Sequence, residues 1–220
     1  MNSTSPSNPH AGTRTLAYGA PLEEARAAMI MLHGRGASPE DILGVAPLID
    51  LGSLIYLAPA AMDGAWYPQT FLRPQSVNQP WLDLALRRIG SLISQVETAG
   101  IPVERIVLLG FSQGVCLAPE YAARNAWRYG GVAVLSGGLI GAEEDLQGYG
   151  GSLEGTPVFL GCSNIDPYIP ETRVRRSADI IEQIGGQVEV RIYPAMGHNI
   201  NQDEIDAVSA MVREATKQKS

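Results

Sequence analysis

Residues 105–114 read RIVLLGFSQG, an apolar run that passes directly into the pattern Gly-x-Ser-x-Gly. The apolar run predicts a buried strand, and a helical pattern follows the second glycine. A serine on a sharp turn between a strand and a helix has strained backbone geometry, and flanking glycines let neighbouring elements approach closely. Such a turn would lift the Ser112 hydroxyl clear of the sheet as a candidate nucleophile, although an ordinary glycine-flanked turn can carry the same pattern.

Five further apolar runs of strand length occur along the chain, and helical patterns separate most of the runs. The six candidate strands are residues 27–32, 53–57, 105–109, 132–135, 157–161 and 188–193. This order predicts an α/β fold, a mostly parallel sheet with helices on both faces and ligands bound outside the carboxyl ends of the strands. We expect a flexible tail over residues 1–12 and one domain over residues 13–220, with no room for a separate cap domain.

The composition argues against several classes of partner. The chain has 16 Lys and Arg against 23 Asp and Glu, a formal net charge of −7, which disfavours nucleic acid and anionic membrane surfaces. No apolar run approaches the ~20 residues of a membrane span, so we expect no stable membrane insertion. The polar first ten residues lack the features of a signal peptide, which predicts a cytoplasmic protein. Cys116 and Cys162 follow no disulfide or zinc spacing, so free thiols are expected.

A serine is a poor nucleophile unless a base takes its proton, and histidine is the commonest base. The chain has three histidines. His10 lies in the predicted tail and His33 ends the first long apolar strand, whereas His198 follows the last predicted strand. A loop at that point lies at the same edge of the sheet as Ser112. We therefore predict that His198 is the base, the alternative being an incidental surface histidine.

The third group of such a site is an acid that orients the histidine. In hydrolases of this architecture it lies between the serine and the histidine along the chain. Asp166 comes just after the strand predicted over residues 157–161 and is the candidate that fits best, although Asp-Pro is also a common turn signal. Four other acids remain open as rivals, namely Glu143, Glu144, Asp145 and Asp203.

The sequence HGRG at residues 33–36 follows the first long strand, where folds of this kind supply an amide to an oxyanion. Its glycines let the backbone turn inward, so the Arg35 N–H is the predicted partner of the Gln113 N–H, which begins the helix after the serine. His33 would then support the loop and not act as a base. A tight connection without this role is the alternative.

Five motifs in order resemble the phospholipase/carboxylesterase family, which includes the acyl-protein thioesterases. They are LHGRGAS at 32–38, AWYP at 65–68, GFSQG at 110–114, DPYIP at 166–170 and GH at 197–198. The resemblance covers nearly the whole chain after the tail and implies a small α/β-hydrolase fold. It also implies Ser112, Asp166 and His198 as catalytic residues, with the amides of Arg35 and Gln113 as the oxyanion hole.

The chain also departs from the thioesterase branch of that family. The branch usually has Leu where Arg35 stands, and His-Gly where Ser163 and Asn164 precede the acid. These differences leave the catalytic residues in place and count against an acyl-protein substrate.

Without a cap domain, the irregular stretches 58–80 and 137–155 must build the substrate pocket. The large apolar side chains predicted to line it are Trp66, Tyr67, Phe71 and Trp81, with packing inside the loops as the alternative. The leading hypothesis is a serine carboxylesterase, similar to a lysophospholipase, that cleaves a small-molecule ester without a metal or cofactor. The alternatives are a thioesterase acting on acyl-proteins or acyl carriers and a ligand-binding protein without activity. Homodimer formation stays open.

Overall fold

The computed structural model describes residues 8–49 and 51–217, and within them it forms one sheet of seven strands. The strands are β1 Thr15–Gly19, β2 Ala27–Leu32, β3 Leu54–Pro59, β4 Ile106–Phe111, β5 Gly131–Leu135, β6 Pro157–Ser163 and β7 Gln187–Tyr193. Their order across the sheet is β1-β3-β2-β4-β5-β6-β7. All neighbours are parallel except β1 and β3, so the predicted α/β fold with a mostly parallel sheet is confirmed.

The six strands predicted from apolar runs are all present, and β1 is the strand that the sequence did not indicate. It pairs antiparallel with β3 at the edge of the sheet, with Thr15 opposite Pro59. Its residues are exposed or half-buried because an edge strand has a neighbour on one side only. A short strand with that exposure lacks the continuous apolar pattern of the buried parallel strands.

The described residues include six α-helices, which cover both faces of the sheet. They are α1 Pro39–Leu43, α2 Ala46–Ile49, α3 Trp81–Thr98, α4 Gln113–Arg124, α5 Glu171–Gln183 and α6 Gln202–Thr216. Helices α3, α4 and α5 pack on one face, and α1, α2 and α6 pack on the other. Alternate residues of β2 supply the two cores: Ile30 belongs to the first and Met29 to the second. No helix in the described part of the chain is long and apolar enough to cross a membrane.

Two helices begin at the caps that the sequence indicates. The Ser38 side chain accepts a hydrogen bond from the Asp41 amide, and the Asp41 carboxylate accepts one from the Ser38 amide, which starts α1. Asn201 and Glu204 form the same reciprocal pair at the start of α6. This second pair determines where the segment carrying His198 ends and where the last helix begins.

The prediction of a flexible tail does not hold at His10, and residues 1–7 lie outside the described residues. The His10 side chain is fully buried. The Met62 amide donates to His10 Nδ1 over 3.1 Å, so Nε2 carries the proton and donates to the Trp66 carbonyl over 3.2 Å. The ring also packs on the Trp66 indole, with centroids 5.5 Å apart. A buried ring with both nitrogens bonded attaches this segment to the domain.

Candidate active site

Ser112 lies on the sharp turn between β4 and α4, with φ 57° and ψ −124°. A positive φ is costly for a residue with a Cβ, and the tight packing on either side maintains it. A Cβ on Gly114 would lie 2.3 Å from the His33 carbonyl oxygen, and one on Gly110 would lie 2.7 Å from Val115 Cα. The two glycines therefore let α4 pack closely against β2 and β4, with the serine held at the carboxyl edge of the sheet.

The structure brings Ser112, His198 and Asp166 into one hydrogen-bonded chain. His198 Nε2 lies 2.9 Å from Ser112 Oγ, and His198 Nδ1 lies 2.7 Å from Asp166 Oδ2. A carboxylate can only accept, so Nδ1 carries the proton and Nε2 is free to accept the serine proton. Ser112 follows β4, Asp166 follows β6 and His198 follows β7. The carboxyl ends of these parallel strands lie at one edge of the sheet, with β5 between β4 and β6.

Local contacts fix the orientation of both partners of the serine. The Asp166 side chain is fully buried, and its Oδ1 accepts hydrogen bonds from the amides of Tyr168 (2.9 Å) and Ile169 (3.1 Å). Those bonds leave Oδ2 directed at the imidazole. The His198 ring packs between Phe111 and Tyr168, with centroid distances of 4.7 and 5.0 Å. Both side chains therefore hold this orientation before substrate binds, so the reaction does not have to supply the entropy cost of ordering them.

The four rival acids have other surroundings. Asp203 accepts from Arg191 and Tyr193 on the surface, and Asp145 accepts from the amides of Gln75 and Ala142. Glu143 forms an ion pair with Arg176, and Glu144 is exposed beside it. The geometry favours Asp166 over all four.

The loop at residues 33–36 lies directly against the serine. A Cβ on Gly34 would lie 3.3 Å from Ser112 Cβ, a tight contact that would push against the serine. Gly36 has φ +73°, and its amide donates to the Gly64 carbonyl over 2.8 Å. The loop thus packs against Ser112 and is hydrogen-bonded to the segment that precedes Trp66.

His33 supports this loop from beneath, as predicted. The Ala61 amide donates to His33 Nε2 over 3.0 Å, so Nδ1 carries the proton and donates to the Gly34 carbonyl over 2.8 Å. Burial lowers the pKa of His33, which favours this neutral form. The Trp66 indole donates to the His33 carbonyl over 2.9 Å. His33 is therefore saturated with structural hydrogen bonds and has no nitrogen free to act as a base.

Neither the Arg35 amide nor the Gln113 amide has a hydrogen-bond acceptor among the described residues. Gln113 is the first residue of α4, where an amide has no partner within the helix. Its side chain points away from the helix end, accepting from the Trp66 amide over 3.0 Å and donating to the Tyr67 carbonyl over 2.7 Å. Both amides are thus available to an oxyanion formed beside Ser112.

A cavity of about 580 Å³ opens onto Ser112 and His198, within the range of small-molecule sites. Its apolar lining comes largely from Tyr67, Phe71, Leu72, Phe111, Tyr168 and Ile169, and the rest comes from Gly34, Arg35, Ala37, Gln69, Thr70, Ser112, Gln113, Cys116, Pro167 and His198. Tyr67 and Phe71 therefore lie where the sequence suggested. Tyr168 and Ile169 were missed, although their position directly after Asp166 was a usable signal.

Trp66 and Trp81 do not line this cavity, which corrects the sequence-based assignment. Trp66 is fully buried between His10 and His33, behind the loop that faces the serine. Trp81 begins α3 and is 45% exposed away from the cavity. No residue of the stretch 137–155 lines the cavity either. That stretch supports the wall from behind, since the Gly141 amide donates to the Phe71 carbonyl over 2.7 Å.

Both cysteines are buried free thiols, as predicted. Burial raises the pKa of Cys116 and of Cys162 to about 12. A thiol with such a pKa is almost wholly protonated near neutral pH and is a weak nucleophile. Cys116 lines the cavity, but Ser112 is the side chain there that a base contacts.

This fold is that of a small α/β-hydrolase, with the serine turn after a central parallel strand. The chain belongs to the phospholipase/carboxylesterase family, whose pattern matches residues 17–215. A phospholipase/carboxylesterase of Dyadobacter fermentans, known as a crystal structure, is 40% identical and superimposes with a TM-score of 0.88. The similarity covers 92% of this chain and 97% of that one. The family match and the superposition therefore agree on the family to which the chain belongs.

Curated relatives are named acyl-protein thioesterase 1. The protein of Gibberella zeae is 32% identical over 134 residues, which cover 60% of this chain and 57% of that protein. The protein of Cryptococcus neoformans var. neoformans serotype D is 25% identical over 227 residues, which cover 90% of this chain and 95% of that protein. The chain spans a little over half the length of the Gibberella zeae protein and of its Neurospora crassa and Saccharomyces cerevisiae counterparts.

Proposed function

We propose that this protein is a serine hydrolase that cleaves carboxylic esters of small molecules through an acyl-enzyme. The observation that carries the proposal is the unbroken chain from Ser112 Oγ through His198 to the buried Asp166, with distances of 2.9 and 2.7 Å. The same three residue types in the same roles activate a serine on several unrelated folds. The adjoining cavity supplies room for an acyl or alcohol group.

Acylation begins when Ser112 Oγ attacks the ester carbonyl carbon while His198 Nε2 takes the hydroxyl proton. The carbonyl π electrons move to oxygen, and the resulting oxyanion accepts hydrogen bonds from the amides of Arg35 and Gln113. Asp166 stabilises the imidazolium without taking its proton. The tetrahedral intermediate then collapses, the alkoxide leaves with the proton held on Nε2, and the acyl group stays on Ser112.

Deacylation repeats these steps with water in place of the serine hydroxyl. His198 Nε2 removes a proton from water, the oxygen attacks the acyl carbon, and the second oxyanion forms in the same place. Collapse breaks the bond to Ser112 Oγ, which recovers its proton from His198. The products are a carboxylic acid and an alcohol, and the ester, water and these residues supply every atom.

Thioester hydrolysis is the second candidate, because curated relatives carry the name acyl-protein thioesterase. The chemistry differs only in the leaving thiolate, so the triad serves both reactions. Three positions distinguish the two candidates, and of these only Arg35 is among the residues that line the cavity. Arg35 and the pair Ser163 and Asn164 depart from the pattern of the thioesterase branch, which favours small esters over acylated proteins.

The test is to label the purified protein with a fluorophosphonate and to measure hydrolysis of p-nitrophenyl esters and acyl thioesters of graded length. We expect labelling and ester turnover in the wild type and in the control Ser209→Ala, whose hydroxyl bonds within α6. Both should be lost in folded Ser112→Ala. Turnover retained in that variant would overturn the mechanism, and absence of labelling in the wild type would favour a ligand-binding role.

A further inference from the structure

Among the described residues that line the cavity, Arg35 is the only Lys, Arg, Asp or Glu. The walls around it are otherwise apolar or uncharged and include the aromatic rings of Tyr67, Phe71 and Tyr168. An uncharged aliphatic ester would leave the Arg35 charge without a partner of opposite charge. A single cation beside apolar walls suits a substrate that has both an apolar part and an anionic part.

The Arg35 guanidinium is held in position without being neutralised. Its Nη2 donates to the carbonyls of Tyr67 over 2.7 Å and Gln69 over 3.0 Å, both on the cavity wall. Uncharged carbonyls orient the group but leave its charge uncompensated. Arginines that do pair with carboxylates among the described residues are Arg14, Arg124, Arg175, Arg176 and Arg191. Arg35 forms no such ion pair in the part of the chain described.

The remaining donors of this guanidinium are available to a ligand. Neither Nε nor Nη1 of Arg35 has a hydrogen-bond partner among the described residues. A guanidinium presents its donors as a planar fork that matches the two oxygens of a carboxylate or phosphate. Fixing Nη2 on two carbonyls reduces the rotamer entropy that a free arginine would lose on binding.

The placement of Arg35 along the chain connects this group with the reacting centre. Arg35 directly follows Gly34, which lies against Ser112, and its side chain bonds the wall at Tyr67 and Gln69. An ester bound at Ser112 would therefore have either its acyl chain or its alcohol group close to the Arg35 guanidinium.

We infer that the cavity takes esters carrying an anionic group, a carboxylate or phosphate, some bonds away from the scissile carbonyl, and that the Arg35 side chain binds this group. The inference rests on the proposed esterase function and specifies its substrate class. The anion can belong to the acyl chain or to the alcohol, and the Arg35 contact is the same in both cases.

Two matched pairs of substrates tell whether the bound anion belongs to the acyl chain or to the alcohol. Methyl hexanoate and monomethyl adipate have acyl chains of equal length and differ by a terminal carboxylate. Butyl butyrate and 4-butyryloxybutanoate differ in the same way on the alcohol side. Initial rates in a pH-stat at pH 7.5 and low salt give kcat/KM for each ester, and the quantity compared is the ratio of the anionic to the neutral member.

We expect the wild type to favour the anionic member of one pair by about 5-fold, mainly through KM, because Arg35 is exposed and water weakens an ion pair there. Arg35→Met should remove this preference, and Arg35→Lys should keep part of it because the charge remains. The control Arg213→Met changes the net charge equally at an exposed position of α6. It should leave the ratio unaltered. In the wild type, 0.5 M NaCl should reduce the preference.

The ratio also cancels any effect of the variant on the Arg35 amide or on the loop at Tyr67, because both members of a pair share them. A wild type that favours the neutral member of both pairs would overturn the inference even if Arg35→Met failed to fold. An anionic preference that survives in folded Arg35→Met would overturn it as well. In either case neutral esters would still be cleaved, whereas failure of the proposed function would abolish all four reactions.

Discussion

At the scale of single residues, the positive φ of Ser112 is sustained by what surrounds it. The glycines at 110 and 114 let β4, β2 and α4 approach so closely that a Cβ at either position would clash with their backbone. The two side chains that follow Ser112 in the hydrogen-bonded chain are also fixed in position. Asp166 accepts two amide hydrogen bonds, and His198 packs between two aromatic rings. The arrangement is consistent with a site organised before substrate arrives.

Asp166→Asn tests the acid of the proposed triad. The amide keeps the shape of the carboxylate but can donate to His198 Nδ1, which favours the wrong tautomer and removes the charge that stabilises the imidazolium. We expect kcat for ester hydrolysis to fall on the order of 10⁴-fold, the loss known for the corresponding change in a serine protease. Asp203→Asn, at the exposed rival, should lower kcat less than about 3-fold because its partners are Arg191 and Tyr193. An active Asp166→Asn would contradict the assignment.

The residues with reactive side chains were easier to predict than those that shape the cavity. Ser112, Asp166 and His198 belong to a motif or to scarce residue types, and their order along the chain follows from the parallel sheet. Trp66 and Trp81 were misplaced because an irregular loop has no period that tells which side chains point inward. Trp66 points to the buried side, where two histidine rings pack on it.

At the scale of elements, a buried carboxylate connects α4 with both long loops. Glu120 is fully buried and forms an ion pair with Arg124 over 2.7 Å. It also accepts from the Gln75 side chain over 3.1 Å, the Ile140 amide over 3.0 Å and the Tyr149 hydroxyl over 2.8 Å. Burial raises the pKa of Glu120, whereas the Arg124 charge and these donors act in the opposite direction.

Glu120→Gln should loosen those loops, because an amide nitrogen would then face hydrogen-bond donors. We expect the free energy of unfolding to fall by about 2 kcal/mol, because buried donors lose their acceptor while Arg124 stays paired with Asp83. Chemical denaturation measures the loss, and amide exchange should quicken in residues 69–78 and 137–150. The control Glu182→Gln, on the exposed side of α5, should stay within about 0.5 kcal/mol of the wild type. Wild-type stability in Glu120→Gln would show that the loops do not depend on this carboxylate.

At the scale of the whole molecule, the central sheet and its covering helices were easier to predict from the sequence than the edge strand β1 and the segment at His10. Buried parallel strands are continuous apolar runs, and helices with one apolar stripe follow them, so the sheet and its two covering layers could be predicted. Neither the half-exposed strand β1 nor the burial of His10 has such a pattern. Both depend on partners distant in sequence, β3 for the strand and the Trp66 segment for the histidine.

Buried titratable groups give the stability of the molecule a pH dependence with opposing parts. Burial lowers the pKa of His10 and of His33, so their contribution to stability declines as pH falls below about 6.5. Glu204, fully buried at the start of α6, acts in the other direction. Burial, with a smaller effect of the Asp203 charge, raises its pKa to about 7 despite the hydrogen bond from the Asn201 amide.

Glu204→Gln isolates that last contribution. Between pH 4.5 and 7 the folded protein keeps a proton on Glu204 that the unfolded chain releases, so wild-type stability from this group declines as pH rises through that window and is constant above it. Its Oε1 has no hydrogen-bond partner among the described side chains and lies against Gly161, so the charged form is poorly solvated there. Glutamine keeps an acceptor for the Asn201 amide and cannot ionise.

We therefore expect the free energy of unfolding of Glu204→Gln to gain about 2 kcal/mol relative to the wild type between pH 5 and pH 8, measured by denaturant unfolding. The exposed Glu214→Gln on the same helix should gain nothing. Since both histidines remain in every variant, a difference independent of pH would mean that Glu204 titrates alike in the folded and unfolded chain.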